Sequence, residues 1–172
     1  MDPYGALKPV DDAGRVTVVV DTPRGSRAKY KYDEDHGLMR LSKILPRGLY
    51  FPYNFGFIPG TRGEDGDALD VLIVLDEPLA LGCVATVRLI GVLKARQTEK
   101  GETVRNDRLL GVVETAYNPA ELFEIAQLHP RHLEEIEHFF VAYNQAHGRV
   151  FTPDGRGGGG EAMAAVRAAM SV

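Results

Sequence analysis

The chain has 172 residues, of which 44% are hydrophobic and 26% charged, a composition typical of a folded globular protein of one domain. Its formal net charge of −4 argues against a protein that follows a nucleic-acid backbone by bulk electrostatics. The single cysteine, Cys83, and the absence of a basic, apolar leader predict a reducing, cytoplasmic location. No apolar run approaches the roughly 18 residues that a membrane helix needs, so we expect neither a nucleic acid nor a membrane as a partner.

The first two thirds of the chain have the pattern of short strands separated by glycine and proline. β-Branched or alternating residues fill five segments, at positions 15–21, 28–33, 69–75, 83–95 and 108–115. The fourth segment is long for one strand, so we expect a bend at Gly91. Five such strands predict a mainly β fold of the α+β class, with a small OB-like β-barrel.

The last third of the chain changes to helical spacing. Asn118, Pro119 and Glu121 form a helix-start pattern. A second helix is predicted over residues 130–146, because apolar residues recur there at intervals of three and four, and we expect it to pack on the barrel. The glycine-rich residues 154–160 predict a mobile connector. It would lead to a third helix at residues 161–172.

Four carboxylates crowd the segment directly before a buried-strand pattern. Glu64, Asp65, Asp67 and Asp70 repel one another, and Asp70 falls one residue inside a strand that ought to be apolar. One interpretation is a solvated acidic turn. The other is a site for a hard divalent cation such as Mg²⁺, which takes one or two carboxylates together with water and phosphate oxygens. An EF-hand is a poor match, because counting from Asp65 the position that requires glycine is Asp70.

Cationic side chains accompany the acidic cluster. Lys29 and Lys31 project from the same face of a predicted strand, and the others are Lys43, Arg105 and Arg108. Each one taken alone is typical of a solvated surface. Cations that face metal-bearing carboxylates indicate a polyphosphate site, where both kinds of positive charge neutralise phosphoryl oxygens.

Five motifs follow one another between Val16 and Tyr143. They are Lys29-Tyr30, F-P-Y-N-F-G-F-I-P at 51–59, D-G-D-A-L-D-V at 65–71, G-V-L-K at 91–94 and I-E-H-F-F-x-x-Y at 136–143. The third has three aspartates in the frame D-x-D-x-x-D, followed by an aliphatic residue. In this order the motifs resemble the soluble, metal-dependent inorganic pyrophosphatases that are built on a five-stranded barrel.

The resemblance implies a barrel with outer helices, dependence on a divalent metal, usually Mg²⁺ with Mn²⁺ as an alternative, and hydrolysis of pyrophosphate to two phosphates. Asp67 looks like the general base, and Lys29 and Tyr143 look like catalytic residues that also hold phosphate. The metal-ligand positions fall on Asp65, Asp70 and Asn106. The substrate-binding positions fall on Lys29, Lys31, Lys43, Arg108 and Tyr143. The resemblance also suggests a homo-oligomer, often a hexamer.

The predicted site departs from the family pattern at several positions. A lysine, Lys31, replaces a glutamate, and the amides Gln97 and Asn106 replace two aspartates. The other changes are Lys43 for arginine, Phe51 and Phe55 for tyrosine, and Arg108 and Asn144 for lysine. Loss of three carboxylates predicts fewer or more weakly held metals and reduced turnover. Asp107 or Glu102 would substitute as ligands if the register of this loop differs.

Three interpretations stay open at this point. The first is Mg²⁺-dependent hydrolysis of inorganic pyrophosphate. The second is hydrolysis of an organic phosphoanhydride in a pocket that Lys31, Lys43 and the two phenylalanines reshape. The third is a phosphate-binding protein that keeps the barrel and has lost turnover. A nucleic-acid-binding barrel is a weaker fourth, since no strip of aromatic and basic residues is evident.

Overall fold

The structure, a computed structural model, describes residues 2–114 and 121–170. In chain order its elements are β1 (Val16–Thr22), β2 (Ala28–Asp33), β3 (Leu38–Ile44), β4 (Asn54–Phe57), β5 (Asp70–Ile73), β6 (Val84–Glu99), β7 (Glu102–Arg105), β8 (Arg108–Val113), a 3-10 turn (Ile125–Gln127), α1 (Pro130–Gln145), β9 (Val150–Gly158) and α2 (Gly159–Ala169). In the described part of the chain, no helix is long and apolar enough to cross a membrane.

Five strands close into a ring. β1 pairs antiparallel with β4 and with β6, β4 pairs antiparallel with β5, β5 pairs parallel with β8, and β8 returns antiparallel to β6. This ring confirms the predicted OB-like barrel. Its membership differs from the prediction, because β4 supplies the fifth strand and β2 lies outside the ring.

Strand β2 instead forms a separate two-stranded sheet with β3. Lys29 lies opposite Lys43 in this hairpin. The sequence pattern missed β3, because its residues LMRLSKI do not alternate between apolar and polar, and both faces of the strand are largely exposed. The hairpin brings the lysines of the predicted cationic row onto one small sheet.

The core has two apolar clusters, one on each face of the strands. Neighbouring residues of β5 divide between them, since Leu72 faces the cluster beneath α1, and Val71 and Ile73 face the cluster beneath α2. Both faces of β5 are therefore buried, which explains its unbroken apolar sequence. The predicted helix over 130–146 is confirmed as α1, whose buried residues include Ile136 and Phe140.

The prediction of a mobile connector over residues 154–160 is wrong. Residues up to Gly158 belong to β9, which pairs antiparallel with β6, and α2 begins at Gly159. Close packing requires glycine here: a Cβ on Gly91 would lie 2.6 Å from the Cβ of Ile125, and a Cβ on Gly159 would lie 2.8 Å from the carbonyl oxygen of Leu89. These glycines allow close approach of the backbone.

Two smaller predictions concern strand and helix boundaries. β6 runs unbroken through Gly91, and its register with β8 shifts between Leu89 and Gly91, where a bend is predicted. The predicted helix start at Asn118 and Pro119 lies outside the described residues. Between Glu121 and the start of α1, the secondary structure consists of the 3-10 turn at Ile125–Gln127.

Candidate active site

A cavity of about 590 Å³ opens where the β2–β3 hairpin, the barrel and α1 meet. Strands β1, β2, β3, β4, β5, β6 and β8 all contribute side chains to its wall, as does α1. All nine residues of the predicted site line it, namely Lys29, Lys31, Lys43, Asp65, Asp67, Asp70, Asn106, Arg108 and Tyr143. The fold therefore brings together residues that lie up to 114 positions apart in the sequence, from 29 to 143.

The acidic side of the cavity is built by the connection that leads into β5. Gly66 takes a positive φ of 84°, and the backbone N–H of Gly63 donates to the carbonyl of Asp67, so the connection turns back on itself. The Asp65 carboxylate accepts from the backbone N–H of Asp67 at 3.1 Å. Asp70 follows as the first residue of β5.

Three aspartates of the cavity form ion pairs with Lys29, Lys31 and Arg108. Lys31 Nζ lies 2.6 Å from Asp67 Oδ1, and Arg108 Nη1 lies 3.0 Å from Asp70 Oδ2. Lys29 Nζ lies 2.6 Å from Oδ1 of a carboxylate that the sequence analysis missed, Asp21. Asp21 is 4% exposed at the end of β1. The sequence contained a signal for Asp21, because this carboxylate directly follows the apolar run VTVVV. Asp70 has a similar position at the start of another apolar run.

Burial of these carboxylates shapes their protonation. Burial raises the pKa of Asp70, opposed by the charges of Arg108 and Lys29. Burial likewise raises the pKa of Asp21, opposed by Lys29. The pKa of Asp65 is raised by burial and then by the charges of Asp70 and Asp67. Burial, the largest cause at each of these aspartates, thus disfavours the charged carboxylate, and an added cation would favour it.

The donor chemistry of this side fits a divalent cation. Hard cations prefer carboxylate oxygens, and Mg²⁺ usually combines one or two of them with water and phosphate oxygens. Asp65 and Asp70 line the cavity, and Asp65 forms no ion pair within the described residues. Across residues 2–114 and 121–170, no three His, Cys, Asp or Glu side chains form a metal-binding group by themselves. A cation held by Asp65 and Asp70 would take its remaining ligands from water and phosphate oxygens.

Two amides, Gln97 on β6 and Asn106 between β7 and β8, stand where the family pattern has carboxylates. Asn106 Nδ2 donates to Gln97 Oε1 at 2.9 Å, and Asn106 Oδ1 accepts a hydrogen bond from Arg108. The amides thus position the arginine, and the metal-binding role of Asn106 stays a prediction. Asp107 pairs with Arg105 at 2.7 Å in a separate pocket, so neither residue joins the site, and Glu102 also lies outside the cavity.

Aromatic rings lie beside three cations of the cavity. The Arg108 guanidinium carbon lies 5.0 Å from the ring centroid of Phe140, and Lys29 Nζ lies 4.5 Å from that of Phe55. Lys43 Nζ lies 5.4 Å from the ring centroid of Tyr143. Cations near ring faces are attracted by the ring quadrupole. The ring of Phe55 thus holds Lys29 in place and lacks the hydroxyl that a tyrosine would add.

Two of these groups in the cavity have perturbed ionisation. Burial raises the pKa of Tyr143 to about 12, and the charge of Asp70 adds to this effect. Burial lowers the pKa of Lys43, as do the neighbouring charges of Arg149 and Lys29. Arg149 and Glu99, which pair at 3.1 Å, also line the cavity and were not found from the sequence. Neither lies in a motif, and no local pattern marks them.

The cavity of this barrel is lined by aspartates together with lysines and arginines. This combination defines a class of protein that binds a phosphate-rich anion together with a cation. Within that class, the chain belongs to the inorganic pyrophosphatase family, whose family model matches residues 18–172. This match confirms the resemblance seen in the sequence motifs. The family is generally metal-dependent.

Individual relatives agree with the family match. "Soluble inorganic pyrophosphatase 2" of Chlamydomonas reinhardtii is 38% identical over 144 residues, which cover 83% of this chain and 73% of the relative. "Inorganic pyrophosphatase" of Thermus thermophilus is 37% identical over 74% of this chain and 71% of its own length. The chain is therefore similar to these enzymes over most of its length.

Solved structures of pyrophosphatases have the same fold. The crystal structure of the inorganic pyrophosphatase from Thermus thermophilus superposes with a TM-score of 0.86 at 34% identity, over 97% of this chain and 96% of that one. The structure of an inorganic pyrophosphatase from Neisseria gonorrhoeae has a TM-score of 0.89 at 31% identity, over 98% and 97% of the two chains. The similarity includes the barrel and both helices.

Proposed function

We propose that the protein is an inorganic pyrophosphatase, a hydrolase that converts pyrophosphate to two phosphates with Mg²⁺, with Mn²⁺ as an alternative. The observation that carries the proposal is the single cavity in which Asp65, Asp67 and Asp70 face Lys29 and Lys43. The printed names of the relatives, at 37% and 38% identity over most of the chain, support the same substrate.

The acidic side would prepare the attacking water. A bound divalent cation, held by Asp65 and Asp70, would neutralise phosphoryl oxygens and make a water molecule more acidic. Asp67 is the general base in this proposal, because its exposed carboxylate reaches the cavity and is oriented by Lys31 at 2.6 Å. Asp67 would accept the proton of the water that attacks phosphorus.

The cationic side chains of the cavity would bind the phosphoryl groups and stabilise the departing phosphate. Lys29, Lys43 and Arg108 donate to phosphoryl oxygens, and Arg108 is held in one orientation by Asn106 and Asp70. Tyr143 stays protonated at neutral pH, because its pKa is raised to about 12. Its hydroxyl is therefore a hydrogen-bond donor to phosphate throughout the physiological range.

The proposal is tested by phosphate release. Purified protein is incubated with pyrophosphate and Mg²⁺, with pyrophosphate and Mn²⁺, and with pyrophosphate and EDTA, from neutral to alkaline pH. We expect release with Mg²⁺ and none with EDTA. No release with either metal at any pH would defeat the proposal.

The same assay separates the alternatives left open by the sequence. A panel of nucleoside diphosphates, nucleoside triphosphates and nucleotide sugars is run beside pyrophosphate. Preference for an organic substrate would favour the phosphoanhydride alternative. Calorimetric binding of pyrophosphate without hydrolysis would favour a binding protein.

The proposal includes two properties of the protein in solution. Assembly into a homo-oligomer stays a prediction. The resemblance suggests a hexamer, and analytical ultracentrifugation tests this. A cytoplasmic location stays a prediction as well, supported by the free thiol of Cys83 and by relatives whose printed names include the word soluble.

A further inference from the structure

Arg149 lies just before β9, in the turn that leaves α1. Its backbone N–H donates to the carbonyl of Asn144 at 3.0 Å, and Gly148 takes a positive φ of 72° within the same turn. His147 Nδ1 lies 2.6 Å from the carbonyl of Tyr143. The end of α1 therefore holds Arg149 close to Tyr143, and Arg149 lines the cavity with it.

The guanidinium of Arg149 is incompletely paired. Its Nε is buried without a hydrogen-bond partner, although Glu99 Oε2 lies 3.1 Å away in an ion pair. The Glu99 side chain is 43% exposed, so water weakens this pair. Donors of Arg149 thus stay available to an anion in the cavity.

Arg149 also stands beside other cations. Its charge contributes to the lowered pKa of Lys43, and both residues line the cavity together with Lys29. Like charges in a partly buried pocket repel one another unless an anion joins them. The three cations therefore form a pocket that an anion with several oxygens would stabilise.

The residue that follows Tyr143 on α1 does not reach this pocket. Asn144 is 1% exposed, and its Nδ2 donates to the carbonyl of Phe140 at 2.8 Å within α1. Of the residues described after Tyr143, Arg149 is the one that lines the cavity. At this end of α1, the positive charge that reaches the cavity is therefore that of Arg149 in the turn, and not that of a helix residue.

We propose that Arg149 is a substrate-binding residue whose guanidinium donates to phosphoryl oxygens of the substrate together with Lys43. The identity of the anion rests on the proposed function, whereas the role of Arg149 rests on its place in the cavity. Arginine suits this role because its planar fork donates two hydrogen bonds to one phosphoryl group.

The test measures binding and turnover separately. Isothermal titration calorimetry with methylenediphosphonate, a pyrophosphate analogue that is not hydrolysed, is carried out on the wild type and on R149A and R149K, with Mg²⁺ present. We expect Kd to rise at least about tenfold in R149A, because charge-assisted hydrogen bonds are lost. R149K keeps the charge without the fork, so its Kd should fall between those of the wild type and R149A. With pyrophosphate as substrate, KM should rise more than kcat falls.

Arg156 provides the matched control. It lies on β9 and is held by a two-pronged ion pair with Glu137, at 2.9 Å for each contact, away from the cavity. R156A should bind the analogue within about twofold of the wild type, since it removes the same charge at a position outside the site. Thermal melting curves confirm that each variant is folded.

The outcomes separate this proposal from the proposed function. Wild-type binding in R149A, or equal losses in R149A and R156A, would overturn the role of Arg149. A wild type that binds the analogue and releases no phosphate from pyrophosphate would overturn the enzymatic function alone. A wild type that binds no analogue would overturn both.

Discussion

At the scale of single residues, the ion pairs of the cavity differ in how far their side chains are exposed to water. Lys29, Lys31 and Arg108 each neutralise a carboxylate that comes from a different part of the chain. The Lys29 pair is largely buried, whereas the side chains of the Lys31–Asp67 pair are 62% and 57% exposed. The exposed pair costs least to separate. Ligand binding should therefore rearrange Lys31 and Asp67 first.

Replacement of Asp67 by Asn tests its role as general base. The amide keeps the size of the side chain and cannot accept the proton of the attacking water, so we expect phosphate release to fall at least about a hundredfold. Cation affinity, measured by Mn²⁺ titration, should change little, because Asp65 and Asp70 are unaltered. A variant with wild-type turnover would show that another group takes the proton.

Replacement of Lys31 by Ala tests whether this lysine competes with a divalent cation. Loss of the Lys31 charge lowers the repulsion on a cation held by Asp65 and Asp70, so the affinity for Mn²⁺ should rise about two- to fivefold, which matches the modest energy of one exposed charge. Calorimetry or Mn²⁺ electron paramagnetic resonance measures the affinity. The control is Lys94→Ala, which breaks a 2.6 Å ion pair with Glu161 outside the cavity. Equal changes in both variants would contradict a local effect.

At the scale of elements, β6 organises the molecule. It pairs with β1, β7, β8 and β9. A two-residue turn, with positive φ at Lys100 and Gly101, joins it to β7. The far end of β6 carries Gln97 and Glu99 to the cavity wall. Close pairing of β6 with β9 places Arg149, just before β9, at the same edge.

Replacement of Gly91 by Ala tests this close packing. A Cβ at that position would lie 2.6 Å from the Cβ of Ile125 and 2.8 Å from the carbonyl oxygen of Gly157. Such overpacking should lower the free energy of unfolding by about 1–3 kcal/mol, measured by urea denaturation. Gly160→Ala is the matched control in α2, where a Cβ would meet nothing within 4 Å. It should leave stability unchanged or raise it by up to about 1 kcal/mol. A Gly91→Ala protein as stable as this control would contradict the packing argument.

At the scale of the whole molecule, the cavity connects parts that are otherwise separate. The β2–β3 hairpin has its own sheet, and it contacts the acidic connection through the Lys31–Asp67 ion pair and β1 through the Lys29–Asp21 ion pair. The chain as a whole carries a net charge of −4, while lysines and arginines line the cavity beside its carboxylates. An anion is thus attracted by local charge, against the net charge of the molecule.

Ligand binding should therefore stabilise the whole fold. Methylenediphosphonate and Mg²⁺ together, each at about a hundred times its Kd, should raise the free energy of unfolding by about 3 kcal/mol or more, because ligands bind the folded state. Either ligand alone should raise the melting temperature less, since the cation and the anion share coordination. The melting temperature is followed by calorimetry, with EDTA added to reverse the effect. Additive, independent effects of the two ligands would argue against a shared site.

Local patterns in the sequence were sufficient for much of the fold. The positions of β1, β5, β6, β8 and α1 follow from apolar runs and helical spacing. The acidic cluster, the lysines of β2 and the helix tyrosine were found as motifs, and the structure places them in one cavity. The strand and helix predictions succeeded because burial on one face, or on both, leaves a periodic record within a few neighbouring residues.

The remaining features depend on partners distant in the chain. The four residues of β4 become a barrel strand because β1 and β5 hold them on both sides. The glycines of β9 look like a linker until β6 packs against them. Asp21 follows an apolar run that marks it locally, whereas Arg149 joins the cavity through a chain reversal that no neighbouring residue indicates. The sequence by itself determined the strand-rich class, the long helix and the chemical character of the site. Tertiary structure alone decided which strands close the barrel and which charges meet, because those depend on contacts between segments far apart in the chain.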